Sequence, residues 1–148
     1  MTTTSEKITG DRSKNTRIIY WMATGLLALF TLSGSFFMNS QMAIDGIRHL
    51  GLPEWFRWEL NIGHIIGGLI LILPVGKRIK EWGYVALGID YISALIAHLS
   101  IDGAVSSSFS PLITMALLVV SYICYHKIKD RRYYVSKENS ILQNEASF

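Results

Sequence analysis

Residues 18–38 read IIYWMATGLLALFTLSGSFFM and contain no charged side chain. A helix of about 20 apolar residues is long enough to cross the roughly 30 Å of hydrocarbon in a bilayer. The run is also longer than the apolar core of a cleaved signal peptide, which has about 7 to 15 residues. The sequence therefore predicts that this stretch is a membrane-spanning helix and not a leader.

Three more apolar runs of similar length follow in the chain. They cover residues 55–75, 82–101 and 109–126. The links at 76–81 and 102–108 are short, which is typical of neighbouring helices that run in opposite directions. We therefore predict an all-α protein, an integral membrane antiparallel four-helix bundle that occupies residues 17–126.

Two polar segments flank this membrane domain. Residues 1–16 form one tail and residues 127–148 the other. Residues 1–16 and 136–148 contain too few apolar side chains to bury a core, and we predict that they are disordered. Lys and Arg concentrate in these tails and in the link at 76–81, whereas the link at 102–108 has none. Because short basic loops remain in the cytoplasm, the pattern predicts a multi-pass protein of the cell membrane with both termini cytoplasmic.

Charge and cysteine content argue against nucleic-acid binding and against thiol redox chemistry within one chain. The formal net charge is +3, but the basic residues are divided among three patches beside the membrane, where contact with anionic membrane lipid explains them better than nucleic-acid binding does. Cys124 is the only cysteine. Neither an internal disulfide nor a Cys-x-x-Cys redox pair can therefore form within one chain.

The connection at 39–54 is the longest one between spans. Ile44, Ile47 and Leu50 recur in it at helical spacing among polar residues. This pattern predicts a short amphipathic helix, which either lies on the outer membrane surface or covers the bundle as a lid.

Polar side chains inside the spans are the candidates for chemistry, because an ionisable residue at the bilayer centre costs about 2.5 to 3.5 kcal/mol on insertion scales. Counting from the span ends places five of them in the outer half of the bilayer. They are Ser33, Glu59, Asn61, His64 and His98. We predict that these side chains line a hydrophilic pocket that opens outward and binds a ligand.

His64 and His98 admit two interpretations. They either act as a functional pair, which exchanges protons, holds a quinone or coordinates a metal, or they form hydrogen bonds between helices. No third ligand stands at a fixed spacing from them, so a metal site is not predicted.

Asp90 lies near the middle of the third span, with no Lys or Arg at the same depth. We expect a protonated carboxyl that forms a hydrogen bond. It is either a proton relay or a structural group bonded to a hydroxyl such as that of Ser93 or Thr24.

The second span contains small residues at Gly63, Gly67 and Gly68. Such a face lets another helix approach closely. The partner helix belongs either to the same chain or to a second copy of it.

Several motifs together resemble the DoxX-like family of small four-helix membrane proteins. They are Ser33-Gly34 late in the first span, LGLP at 50–53, HIIGG at 64–68, LILP at 71–74 and ALIAHL at 94–99. In this family a Lys often follows the Gly of the first span and a Glu begins the second. Phe37 stands where the Lys is expected and His64 where the Glu is expected, whereas His98 matches the family pattern.

The resemblance implies a redox-associated membrane subunit, because the family's namesake is linked to a thiosulfate:quinone oxidoreductase. Its ligand would be a quinone or another small organic molecule, and its partner a soluble or membrane oxidoreductase. A non-enzymatic membrane scaffold or a small transporter is the alternative. Homo-oligomer formation is compatible with either function.

Overall fold

The computed structural model describes residues 3–145, which form five α-helices and one short 3-10 turn. The elements are α1 (Thr3–Phe36), α2 (Gln41–His49), α3 (Glu54–Ile72), α4 (Lys77–Asp102), the 3-10 turn (Ser106–Phe109) and α5 (Ser110–Glu145). This range contains no strand. The predicted all-α class is therefore confirmed.

Four of the helices form the bundle, and α2 lies at one end of it. Each of α1 and α4 packs against both α3 and α5, while α2 contacts α3. Leu27, Leu71, Leu87 and Leu118 contribute one buried side chain from each helix to the interior. The predicted integral membrane four-helix bundle is confirmed by this arrangement.

Three helical segments among the residues described are long and apolar enough to cross a membrane. They are Lys14–Phe36, Lys77–Asp102 and Ser110–Asn144. The shorter α3 is not among them because Arg57, Glu59 and other polar residues lower its mean hydropathy. It nevertheless exposes the apolar side chains of Ile62, Ile65 and Ile66 on the outside of the bundle, as a helix in contact with lipid would.

The two ends of the chain differ from the predicted disordered tails. In the structure α1 already begins at Thr3, and α5 continues to Glu145. No proline interrupts either extension, and adding one more residue to an existing helix is far easier than nucleating a new one. Residues 1–2 and 146–148 lie outside the described part of the chain.

The predicted amphipathic helix in the long connection is present as α2. Ser40 caps its first turn by accepting a hydrogen bond from the backbone N–H of Ala43, with 3.3 Å between the two atoms. Gly51 then turns the chain with φ of 69°, a left-handed conformation that favours glycine. The connection between α1 and α3 therefore folds back against the end of the bundle.

The glycines of α3 and α4 allow close contact between helices of the same chain. A Cβ placed on Gly67 would lie 2.8 Å from Leu87 Cδ2 of α4, and one on Gly68 would lie 2.9 Å from Leu32 of α1. On α4, a Cβ at Gly83 would lie 2.6 Å from Ile70 Cγ2. Gly67 and Gly68 thus pack α3 against both of its neighbours inside the bundle.

Candidate functional site

An imidazole and a carboxylate meet inside the bundle between α3 and α4. A hydrogen bond of 2.7 Å joins His64 Nε2 and Asp90 Oδ2, and both side chains are mostly buried. Asp90 stands midway along α4. The residues before and after it on this helix are mostly apolar. The partner of Asp90 is therefore a histidine and neither Ser93, which is exposed, nor Thr24, which bonds to Ser121.

Two buried polar atoms beside this pair lack a hydrogen-bond partner in the described part of the chain. They are His64 Nδ1 and Asn61 Oδ1. Residues three apart on a helix share a face, so Asn61 and His64 present these atoms on the same side of α3. A buried acceptor without a donor costs about 1 to 3 kcal/mol. Such an arrangement is typical of a site completed by a ligand or water.

A pair of hydroxyl groups lies next to His64. Tyr91 follows Asp90 on α4, and its ring centre lies 6.5 Å from that of His64. Its hydroxyl is 2.8 Å from Thr31 Oγ1 of α1. The His64–Asp90 pair is therefore placed beside a hydrogen bond that joins α1 to α4.

The second predicted histidine lies nearer the α2 end of the bundle. His98 Nδ1 donates to Asp102 Oδ2 over 3.0 Å, and His49 Nε2 of α2 donates to the other oxygen of the same carboxylate. One carboxylate thus joins α2 to α4. His49 thus ties α2 to the end of α4.

The structure does not bring His64 and His98 together. His64 bonds to Asp90, and His98 is eight residues further along α4, which corresponds to about 12 Å at 1.5 Å per residue. Each histidine has its own aspartate. The predicted single pocket is therefore divided into an inner pair and a group at the α2 end.

Two other predicted ligand-binding residues have different surroundings. Ser33 donates to the carbonyl of Phe30 in its own helix over 3.0 Å, which occupies its hydroxyl hydrogen. Glu59 is exposed on the surface of α3. Of the five predicted ligand-binding residues, Asn61 and His64 are the two with a buried polar atom that lacks a hydrogen bond in the described part of the chain.

A second chain of buried hydroxyl groups crosses the bundle on the other side of its middle. Ser121 of α5 lies 2.6 Å from the hydroxyl of Thr24 and 2.8 Å from that of Tyr84. Tyr84 and Tyr91 are seven residues apart on α4, as are Thr24 and Thr31 on α1. Helical spacing therefore places a Thr and a Tyr at two levels of the bundle, where they are joined directly at one level and through Ser121 at the other.

The sequence analysis missed two buried basic side chains. Arg57 is only 5% exposed, and its Nη1 donates to Met38 O over 2.9 Å and to Asn39 Oδ1 over 2.6 Å. Lys80 is equally buried and donates to the carbonyl of Leu73 over 3.1 Å. Charge alone would place both residues in connections between helices. Arg57, however, lies inside the apolar run 55–75, and that position is a signal of burial.

Among the side chains that the structure describes, no three acidic, histidine or cysteine residues are grouped so that they could hold a metal ion. The His64–Asp90 pair is instead suited to hydrogen bonding and proton exchange, because a neutral imidazole that donates through Nε2 keeps Nδ1 as an acceptor.

The fold and these interior groups define a small helical membrane protein with paired polar residues in its bundle. Residues 22–121 match the sequence profile of the DoxX-like family. The match covers more than half of the chain, and the protein therefore belongs to this family, as its motifs indicated. No match was found among curated proteins or among solved structures.

Proposed function

We propose that the protein is a redox-associated membrane subunit that binds a quinone, or a similar small organic molecule with carbonyl and hydroxyl groups, beside the His64–Asp90 pair. The observation that supports this proposal most directly is the pair of unpartnered atoms, His64 Nδ1 and Asn61 Oδ1, on one face of α3. Both are acceptors when His64 is neutral and donates to Asp90. They would accept hydrogen bonds from the hydroxyl groups of the reduced ligand.

The residues present fit a proton-transfer role at this position. His64 Nδ1 accepts a proton from the bound hydroxyl, and the Asp90 carboxylate, 2.7 Å from Nε2, stabilises the imidazolium that results. Oxidation of the reduced ligand would release two electrons and two protons. The electrons would pass to a partner oxidoreductase in the membrane or at its surface, and His64 would take up the two protons one after the other, releasing the first before it accepts the second. Asp90, predicted as a proton relay, acts in this account by holding His64 in place and stabilising its protonated form.

The group at the α2 end has a different part in this proposal. His98 and His49 hold Asp102 between them and so fix α2 over the bundle. His98 therefore contributes to ligand binding by keeping the cover in place. Ser33 and Glu59 have no direct contact with the ligand in this account.

Both termini are proposed to be cytoplasmic, because the basic residues concentrate at their end of the bundle. A Cys124→Ala variant provides a background without cysteine. Into it, Lys137→Cys and Ala104→Cys introduce one thiol at each end of the bundle. In intact cells, a membrane-impermeant maleimide should label only the second variant, and labelling of only the first would reverse the orientation.

Ligand binding is tested with the purified protein in lipid nanodiscs. A short-chain benzoquinol is titrated against the wild type, His64→Ala and Asn61→Ala, with His126→Ala as a control histidine at the opposite end of the bundle. Loss of one hydrogen bond to a buried acceptor should weaken binding roughly tenfold. His126→Ala should bind as the wild type does.

The alternative function gives a different result in the same titration. A scaffold or small transporter should show no saturable quinol binding and no copurifying quinone in a solvent extract of the native membrane sample. Equal affinity of the wild type and His64→Ala would remove the inner pair from the proposed site.

A further inference from the structure

The end of the bundle opposite α2 contains polar groups that the proposed function does not use. Tyr125 of α5 is 6% exposed, yet its hydroxyl has no hydrogen-bond partner among the described residues. The adjacent residue, His126, has a buried Nε2 that likewise lacks a hydrogen bond in this range. Two neighbouring side chains therefore present unpaired polar atoms at the same level.

Two ammonium groups lie close to the ring of Tyr125. Lys80 Nζ is 5.8 Å from the ring centre, and Lys129 Nζ is 5.9 Å from it. Lys80 is buried and gives one hydrogen bond to Leu73, although an ammonium has three donors. Ammonium donors thus remain close to the ring of Tyr125.

The region around Tyr125 and His126 has an excess of positive charge. Glu81 is the nearby acidic side chain, with Oε1 at 4.0 Å from His126 Nε2. The same oxygen lies 3.8 Å from Lys77 Nζ, so Lys77 offsets the charge of Glu81. Lys80 and Lys129 remain as excess cations, which favours an anion with several acceptor oxygens.

The position along the helices identifies the source of that anion. Lys80 precedes the apolar run 82–101, and Tyr125 lies at the end of the run 109–126, so the group stands at the level of the lipid headgroups. Ile79 and Trp82 on the same end of α4 are exposed and offer apolar contact to acyl chains.

We propose that Lys80, Lys129, Tyr125 and His126 bind the phosphate of one anionic phospholipid molecule. The ammonium groups and the hydroxyl of Tyr125 donate to the phosphate oxygens, and His126 donates when protonated. Because the unpaired atoms are covered, binding requires a side-chain rotation, which the exposed Lys129 permits. This proposal does not depend on the quinone site.

Native mass spectrometry of the detergent-solubilised protein tests this site. Phosphatidylglycerol, zwitterionic phosphatidylcholine and inorganic phosphate are added to the wild type and to the variants Tyr125→Phe and Lys129→Gln. Lys127→Gln is the matched control, since Lys127 is exposed on the same turn of α5 and its substitution changes the charge equally. The melting temperature of each variant is measured in parallel to verify folding.

The proposal predicts one tightly bound phosphatidylglycerol per wild-type chain, with the dissociation constant raised roughly tenfold in Tyr125→Phe and Lys129→Gln. Lys127→Gln should change it less than twofold. Equal losses of phosphatidylglycerol affinity in Lys127→Gln and Lys129→Gln would show that the lipid responds only to the overall surface charge. That result would overturn the site. Binding of inorganic phosphate with the same affinity as the lipid would overturn the lipid assignment.

Discussion

His64 of α3 and Asp90 of α4 form a hydrogen bond of 2.7 Å in the interior of the bundle, halfway along α4. An ionisable residue at this depth is unfavourable unless it is paired. The pair satisfies one nitrogen of the imidazole, and the other, Nδ1, has no hydrogen-bond partner among the residues described. The same two residues thus join α3 to α4, and in the proposed function they also provide a proton acceptor for the ligand.

The energetic coupling of this pair can be measured with a double-mutant cycle. His64→Leu and Asp90→Leu each leave a polar group unpaired in the bundle, whereas the double variant removes both groups. We expect the double variant to be more stable than the sum of the single effects predicts, by about 1 to 2 kcal/mol. Reversible unfolding in mixed detergent micelles gives the free energies, and strictly additive effects would contradict the pairing.

Ser121 should be essential for the stability of the bundle because its hydroxyl joins two helices. Ser121→Ala removes one hydrogen bond from the hydroxyl of Thr24 and one from that of Tyr84. We expect a loss of about 1 to 3 kcal/mol in the free energy of unfolding. Ser100→Ala is the control, because Ser100 is exposed and bonds only to Ile96 O of its own helix. A cost for Ser100→Ala as large as that for Ser121→Ala would exclude the proposed role of the hydroxyl chain.

Two glycines of α4 should respond oppositely to the same substitution. Gly83→Ala would place a Cβ 2.6 Å from Ile70 Cγ2, and we expect it to destabilise the bundle by about 1 to 3 kcal/mol. A Cβ at Gly88 would lie 3.5 Å from Leu118, an ordinary contact, and Gly88→Ala should be neutral or stabilising by up to about 1 kcal/mol. Thermal unfolding in nanodiscs compares the two, and equal stability of the variants would show that α3 and α4 are not packed as described.

The carboxylate of Asp102 should determine how firmly α2 is held. Asp102→Asn keeps the shape of the side chain but leaves one acceptor oxygen for two histidines, His49 and His98. Backbone amides of α2 should then exchange with deuterium severalfold faster. Asp45→Asn is the control, since Asp45 bonds to Gln41 within α2 itself. If both variants changed exchange equally, the contact between α2 and α4 would have no role in holding the cover.

Much of the fold could be predicted from the sequence because lipid imposes strict rules on a spanning helix. The apolar run 18–38 corresponds to the membrane part of α1, and the pattern of Ile44 and Ile47 predicted α2. The helical ends of the chain could not be predicted in this way. Their polar composition indicates only that they bury no core, and this does not prevent a helix from continuing.

The partners within the site were harder to predict than the residues themselves. His64 and Asp90 were recognised as costly in a membrane, but their pairing depends on how α3 and α4 rotate against each other. Their predicted depth in the membrane placed His64 with His98. In the structure His64 bonds to Asp90, which lies about two helical turns from His98 on α4. Arg57 was missed because its charge suggested a loop, although its position within the apolar run 55–75 indicates burial.

Side-chain NMR of the four histidines tests the central claim most directly. Protein with ¹⁵N-labelled histidine is prepared in nanodiscs, and the His64 signals are assigned by their loss in His64→Gln. On addition of a short-chain benzoquinol, the account predicts a saturable shift of His64 Nδ1, with His126 unchanged. Unchanged His64 signals at saturating quinol, or a shift confined to His98 and His49, would contradict it.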